Sequence, residues 1–322
     1  MLRRLLIFAF AGIAGGLASM AASAQDYPTR PVRLVFPLAA GGGGDIYSRG
    51  LADELQKAWH QPVVVENRPG GGQNIGARAC AEAAPDGYTI CVMSSEPAAY
   101  NQFLYKSIPY DPEKDFQPIT NLFFNTLAVV ANSETKVKTF AEMVALAKAQ
   151  PGKLSYATFA QPAAVFMDRL NKKEGTDIVR IPYRGGGEVV NALLGGNVQI
   201  AVLALSNMVP QLQSGRITPL AVVGNSRSPL FPDVPTLKEA RGEDFPSTWF
   251  GLFTQAAVPR WIAEKIARDA DRIMADPAYR KRMYTDRGVE PAAERLDDFA
   301  AFIRKERKIA EQIVKESGEP PK

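Results

Sequence analysis

Val32-Arg33-Leu34-Val35-Phe36-Pro37-Leu38-Ala39-Ala40-Gly41-Gly42-Gly43-Gly44-Asp45-Ile46-Tyr47 is the stretch that decides the fold class. Its first five residues are mostly apolar and β-branched or aromatic, which reads as a short strand. Pro37 to Gly44 is a glycine-rich turn. Asp45 to Trp59 is expected to be helical, with Tyr47, Leu51, Leu55 and Ala58 on one face. The same alternation then repeats. A strand is expected at 62–66, a Pro-Gly-Gly-Gly turn follows, and a helix runs from about Asn74 to Ala83. After an Asp86-Gly87 turn comes a strand at 88–93. The order β-α-β-α-β implies a parallel sheet with helices on both faces.

The second half carries the pattern again. Strands are expected at 127–131, 154–158, 179–183, 200–203 and 220–223. Helices are expected at 140–149, 163–171, 187–194 and 208–213. A strand near 247–251 should return the chain to the first half, and three helices should close it. Two α/β lobes result. In such sheets ligands bind outside the carboxyl ends of the strands, and two hinged lobes enclose a cleft.

Composition bounds the function. The chain has 322 residues, 46% of them hydrophobic and 22% charged, enough for about two domains. Arg3 and Arg4 precede the apolar run Leu5–Leu17, and Ala22-Ser23-Ala24 is a small-x-small cleavage site. That is a secretory signal peptide, with Gln25 as the expected mature N-terminus. The run is short for a membrane span, which wants ~20 apolar residues. Export removes two arginines, so the formal charge of +4 falls to about +2. A near-neutral chain without a basic block is not built for nucleic acid.

Cys80 and Cys91 are the only cysteines. In an oxidising compartment such a pair is expected to form a disulfide, two buried free thiols being the alternative. His60 is the only histidine and sits in a turn beside Trp59. A Ser-His-Asp triad and a histidine metal site therefore have no support, and neither catalysis nor a cofactor or metal is expected.

The glycine loop is the chemical centre. Glycines let backbone N–H groups approach a ligand, and the start of the following helix carries partial positive charge. Ala39, Ala40, Gly41, Gly42, Gly43 and Gly44 thus form a candidate anion site, for carboxylate or phosphate. Asp45 is a candidate helix cap that leaves the loop amides free. The spacing fails both G-x-G-x-x-G and the Walker P-loop; a purely structural turn is the alternative. Asn74, Ser94 and Ser95 should lie on the same rim as hydrogen-bond donors. Arg68 is either a cleft cation or pins its own loop.

Further segments carry a family resemblance. They are Tyr27-Pro28-x-Arg30-Pro31-Val32, Gln61-Pro62-Val63-Val64-Val65-Glu66-Asn67-Arg68-Pro69-Gly70, Ala84-Pro85-Asp86-Gly87-Tyr88-Thr89, Pro109-Tyr110-Asp111-Pro112, Pro182-Tyr183-Arg184-Gly185 and Pro232-Asp233-Val234-Pro235-Thr236. In this order, over essentially the whole mature chain, they resemble the Bug proteins, the TctC-like binding subunits of tripartite tricarboxylate transporters.

The resemblance implies a two-lobed α/β periplasmic binding protein of type II arrangement. Lobe 1 would comprise 25–124 and 249–322, and lobe 2 would comprise 125–248. It implies capture of a small organic carboxylate in the cleft by a monomer, for integral-membrane transporter subunits. A sensing subunit docked on a membrane signalling protein is the alternative. The resemblance places lobe-2 contacts at Thr158, Phe159, Ala160 and Gln161, and at Tyr183, Arg184 and Gly185. Two departures stand out. The loop from Thr158 to Phe166 looks about two residues short and has lost most hydroxyl donors, with Phe159 and Phe166 as candidate apolar walls. Leu203 aligns where many relatives carry an acid that pairs with a ligand ammonium. The expected ligand is therefore a carboxylate without an amino group, with an aromatic, aliphatic or dicarboxylic body.

Overall fold

The computed structural model describes residues 26–183, 185–223, 227–228, 230–242, 248–292, 294–318 and 320–322. The expected signal peptide and the expected mature terminus at Gln25 both lie outside them. The first lobe opens with β1 (Val32–Phe36), α1 (Gly43–Trp59), β2 (Val63–Asn67), α2 (Asn74–Ala81) and β3 (Thr89–Ser94). A π-turn at Glu96–Tyr100 runs into the short α3 (Asn101–Leu104), and β4 (Phe116–Asn125) follows.

The second lobe takes β5 (Leu127–Asn132), α4 (Phe140–Ala149), β6 (Ser155–Thr158), α5 (Gln161–Glu174), β7 (Val179–Pro182) and α6 (Gly186–Leu194). It ends with β8 (Ile200–Ala204), α7 (Val209–Gln213), β9 (Ile217–Val223) and α8 (Leu237–Arg241). The chain then returns through β10 (Thr248–Gln255), α9 (Arg260–Ala275), α10 (Pro277–Met283), β11 (Glu290–Pro291) and α11 (Leu296–Ser317).

Two sheets result, ordered β11-β4-β10-β3-β1-β2 and β7-β6-β8-β5-β9. They are mixed, which corrects the expectation of parallel sheets. The β1–β2, β1–β3, β6–β7 and β6–β8 pairs are parallel, as right-handed crossovers require. The antiparallel pairs come from the strands next to the two crossings between lobes. β10 runs against β3 and β4, and β5 runs against β8 and β9.

Strand β4 escapes the sequence patterns for a physical reason. Phe-Gln-Pro-Ile-Thr-Asn-Leu-Phe-Phe-Asn lacks a clean alternation, and Pro118 breaks its ladder. Its pairing with β10 slips in register between Leu252 and Phe253, where Phe253 faces Pro118.

Both faces of each sheet are covered. In lobe 1, Leu34, Ile90 and Leu252 pack against Leu51, Leu55 and Ile266 on one side. Val35, Cys91 and Phe253 pack against Cys80, Trp249 and Phe299 on the other. In lobe 2, Tyr156 and Val202 face Met143 and Met167, whereas Ala201 and Leu203 face Val189, Leu193 and Met208. The side-chain period of two sends neighbours such as Val202 and Leu203 into different cores.

Cys80 of α2 and Cys91 of β3 are joined, with Cα atoms 6.1 Å apart. The bond ties α2 to the strand beneath it. Closing so short a loop in the unfolded chain is worth about 3 kcal/mol. The Cys80→Ala/Cys91→Ala double variant should therefore unfold at lower urea, with a slope no smaller than that of the wild type because its unfolded chain is less constrained. A double variant as stable as the wild type would show that the cross-link constrains nothing.

Candidate functional site

The site lies where the carboxyl ends of β1, β3, β6, β7 and β8 meet. Three long helices start there without a side-chain cap: α1 after Gly42, α5 after Ala160 and α6 after Gly185. The first amides of a helix have no partner inside it, so each start is a concentrated donor set.

Asp45 is not the cap of α1. It sits at the third helical position, buried, with its carboxylate turned back into the loop. It accepts from the Gly41 N–H at 3.0 Å, from Arg49 Nε at 3.0 Å and from Asn67 Nδ2 at 2.8 Å. Burial alone would raise its pKa, but these donors outweigh burial and hold it below the ordinary carboxylate value. Asn67 Nδ2 also donates to the Leu38 carbonyl. The loop is thereby pinned to β2. Gly76 closes the other side: a Cβ there would lie 2.7 Å from Pro37 Cα and 3.1 Å from the Arg68 carbonyl, so only glycine lets α2 come this close.

Across the cleft, Asn207 accepts through Oδ1 from the Gly43 N–H at 2.8 Å. Asn207 also reaches the start of α6, since its Nδ2 would lie 2.9 Å from a Cβ on Gly186. The cavity between these helix starts is small, about 20 Å³, which is room for about one water. Ala39, Gly42, Gly43, Gly44, Phe159 and Gly185 are among its walls. A neighbouring cavity of about 440 Å³ is lined by Leu38, Gln73, Glu96, Phe159, Gln161 and Tyr183, together with Pro69 and the glycines after it. That size is in the range of small-molecule sites.

Half of the expected residues border one cavity or the other: Ala39, Gly42, Gly43, Gly44, Asp45, Phe159, Gln161, Tyr183 and Gly185. Ala40 and Gly41 line neither. Asn74 is buried, and its Oδ1 accepts from Asn101 and Tyr110 at 2.7 Å each, so that oxygen serves the loop. Ser94 is engaged with Gln73 and Glu96. Ser95 is fully buried. Thr158 spends its hydroxyl on the Ala160 N–H at 3.1 Å, and Ala160 packs into the lobe-2 core. Phe166 belongs to that core as well. Arg68 pairs with Glu66 at 2.6 Å and so pins its own loop. Arg184 lies outside the described residues.

Leu203 requires a correction. It is buried and packs beneath α6 with Val189 and Leu193, while its neighbour Ala204 lines the small cavity. A strand cannot send both to the same side. The exclusion of a ligand amino group, which rested on Leu203, loses its footing.

Sequence reading missed Asn207, Ser206, Gln73 and Glu96. The signal for the first two is a polar pair directly after an apolar strand end, the place where α/β sheets bind ligands. Gln73 and Glu96 flank expected residues but look like ordinary surface polar side chains.

A family model described as "Tripartite tricarboxylate transporter family receptor" matches residues 47–319. The chain belongs to that family. Its members are solute-binding receptors and not enzymes, and the Bug proteins are among its relatives. BugT of Bordetella pertussis is 32% identical over 97% of this chain and 95% of its own length. The periplasmic binding protein BugD superposes with a TM-score of 0.85 at 29% identity, covering 92% of this receptor and all of BugD. An R. palustris protein solved with adipate gives 0.87 at 26% identity, with 92% and 100% covered. Among the described residues no helix of the receptor is long and apolar enough to cross a membrane.

The loop anchor makes a pH prediction. Asp45 has a depressed pKa, so the stability it adds is complete above the ordinary carboxylate value and fades as pH falls through the lower native value. Asp45→Asn should lose about 2 kcal/mol at pH 7, and the gap to wild type should shrink in acid. Urea midpoints at pH 7 and pH 3 measure it. A gap independent of pH would mean that the charge plays no part in holding the loop.

Proposed function

We propose that this receptor captures a small organic carboxylate between its lobes and delivers it to integral-membrane subunits of a tripartite transporter. It acts as an exported monomer whose signal peptide is removed after Ala24. The observation that carries this reading is the meeting of uncapped helix starts from both lobes at one cavity. The Gly43 amide of lobe 1 and the Gly185–Gly186 segment of lobe 2 face one small space. Asn207 Oδ1 already occupies the Gly43 amide, in the position a carboxylate oxygen would take.

The energetics favour an anion. One helix start stabilises a negative charge by about 0.3–1 kcal/mol in water and up to ~2 kcal/mol when partly buried. Here two converge, and Asp45, the acid beside them, is already paired with Arg49. The structure solved with adipate supports carboxylate recognition in this family.

A thermal-shift screen of residues 25–322 against organic acids tests the reading. A bound carboxylate at ~100 times its Kd adds about 2.7 kcal/mol of stability, and Gly43→Val should abolish that shift by filling the cavity. If no carboxylate shifts the wild type at millimolar concentration, or if the valine variant responds equally, the reading is wrong.

A further inference from the structure

Glu96 is the buried group that carboxylate capture leaves unexplained. It belongs to lobe 1, at the carboxyl end of β3, and only 4% of it is exposed. It nevertheless lines the 440 Å³ cavity. Gln161, the first residue of α5 in lobe 2, lines the same cavity. Glu96 and the start of a helix that has no cap of its own thus border one space from opposite lobes.

The contacts of Glu96 form a closed network. Gln73 Nε2 donates to Glu96 Oε2 at 2.8 Å. Ser94 Oγ contacts both Glu96 Oε2 and Gln73 Oε1, the latter at 2.8 Å. The serine has one hydroxyl proton and two acceptors to serve. Both contacts are satisfied only if Glu96 supplies a proton of its own. Turning the Gln73 amide over leads to the same count, because its oxygen would then face Glu96. Burial pushes the Glu96 pKa up, in agreement. Gln161 Oε1, for its part, accepts from Lys322 Nζ at 3.0 Å.

A second ligand carboxylate placed in this cavity would need several donors of its own. Gln73 and Ser94 are spent on Glu96, and no lysine or arginine is among the described residues of the lining. Arg180 lines a separate small cavity.

Resting on the carboxylate reading above, we infer that Glu96 is a specificity residue: its buried carboxyl group forms part of the wall of the larger cavity and engages the donors beside it, so the cleft accepts one ligand carboxylate and the substrate is a monocarboxylate. The R. palustris relative solved with adipate holds an acid of the class that this receptor rejects.

Calorimetric titration of residues 25–322 with two matched pairs, hexanoate against adipate and benzoate against terephthalate, tests this. Wild type should prefer the monocarboxylate of at least one pair tenfold or more. Glu96→Ser, which removes the carboxyl group and frees Gln73 and Ser94, should shift that ratio at least tenfold toward the dicarboxylate. Glu96→Gln keeps the shape and the fold while offering a donor, and should shift it in the same direction by less. A wild type that binds the dicarboxylates as tightly or tighter overturns the inference and leaves the carboxylate reading standing. So does a ratio unmoved in both variants. If no member of either pair binds wild type, the inference falls; if the thermal-shift screen is blank as well, the carboxylate reading falls with it.

Discussion

The buried carboxylate of Asp45 is the constraint on which the site depends. Four glycines in a row have more conformational freedom than any binding loop tolerates, and freezing them costs about 1–2 kcal/mol of backbone entropy per residue. Asp45 offsets part of that cost by gathering a loop amide, Asn67 and Arg49 around one charge. Asn67 in turn holds the Leu38 carbonyl. The loop's geometry is therefore set by β2 as much as by its own residues. Because the carboxylate is turned inward, the first amides of α1 still face the cleft.

Much of this was legible in the sequence, and the reason is specific. Helices with a strong period, such as α1, α4 and α9, declare themselves because one face is buried and the other is wet, and β1 declares itself as a short apolar run buried on both faces. The β-α-β runs gave the lobes their parallel strand pairs. What the sequence could not declare was the set of pairings made across the crossings. β5 and β10 are apolar runs that fit a parallel or an antiparallel ladder equally well, and only the return path of the chain makes them antiparallel. β4 was hidden further by Pro118, which looks like a strand breaker until the register slip beside it is known.

The site divides along the same line. The glycine loop is legible as a candidate anion site because its chemistry is local: glycine, helix start, strand end. The opposite wall is not local. Leu203 stands at a position that family resemblance assigns to the cleft, but in this strand it faces the core while Ala204, one step along, takes the cavity. In a period-two element such an error reverses the meaning of a residue. Asn207 and Glu96 escaped notice because their importance lies in partners 164 and 23 residues away, Gly43 and Gln73.

Those two residues also differ in how firmly they are held. Asn207 of lobe 2 lends an oxygen to the start of α1 in lobe 1, whereas Glu96 is held within its own lobe by Gln73 and Ser94. Asn207 is neutral and bound through one amide contact, so an incoming carboxylate replaces a weaker acceptor with a charged one and gains the difference. Glu96 is buried within a network that shares its protons with Ser94 and Gln73, and displacing it would strand those groups without partners. A ligand shifts a closing equilibrium only by its differential affinity for the closed form. On the proposed reading, the helix start held by Asn207 is accordingly the one at which ligand binding couples to lobe closure, while Glu96 keeps its place in the cavity wall.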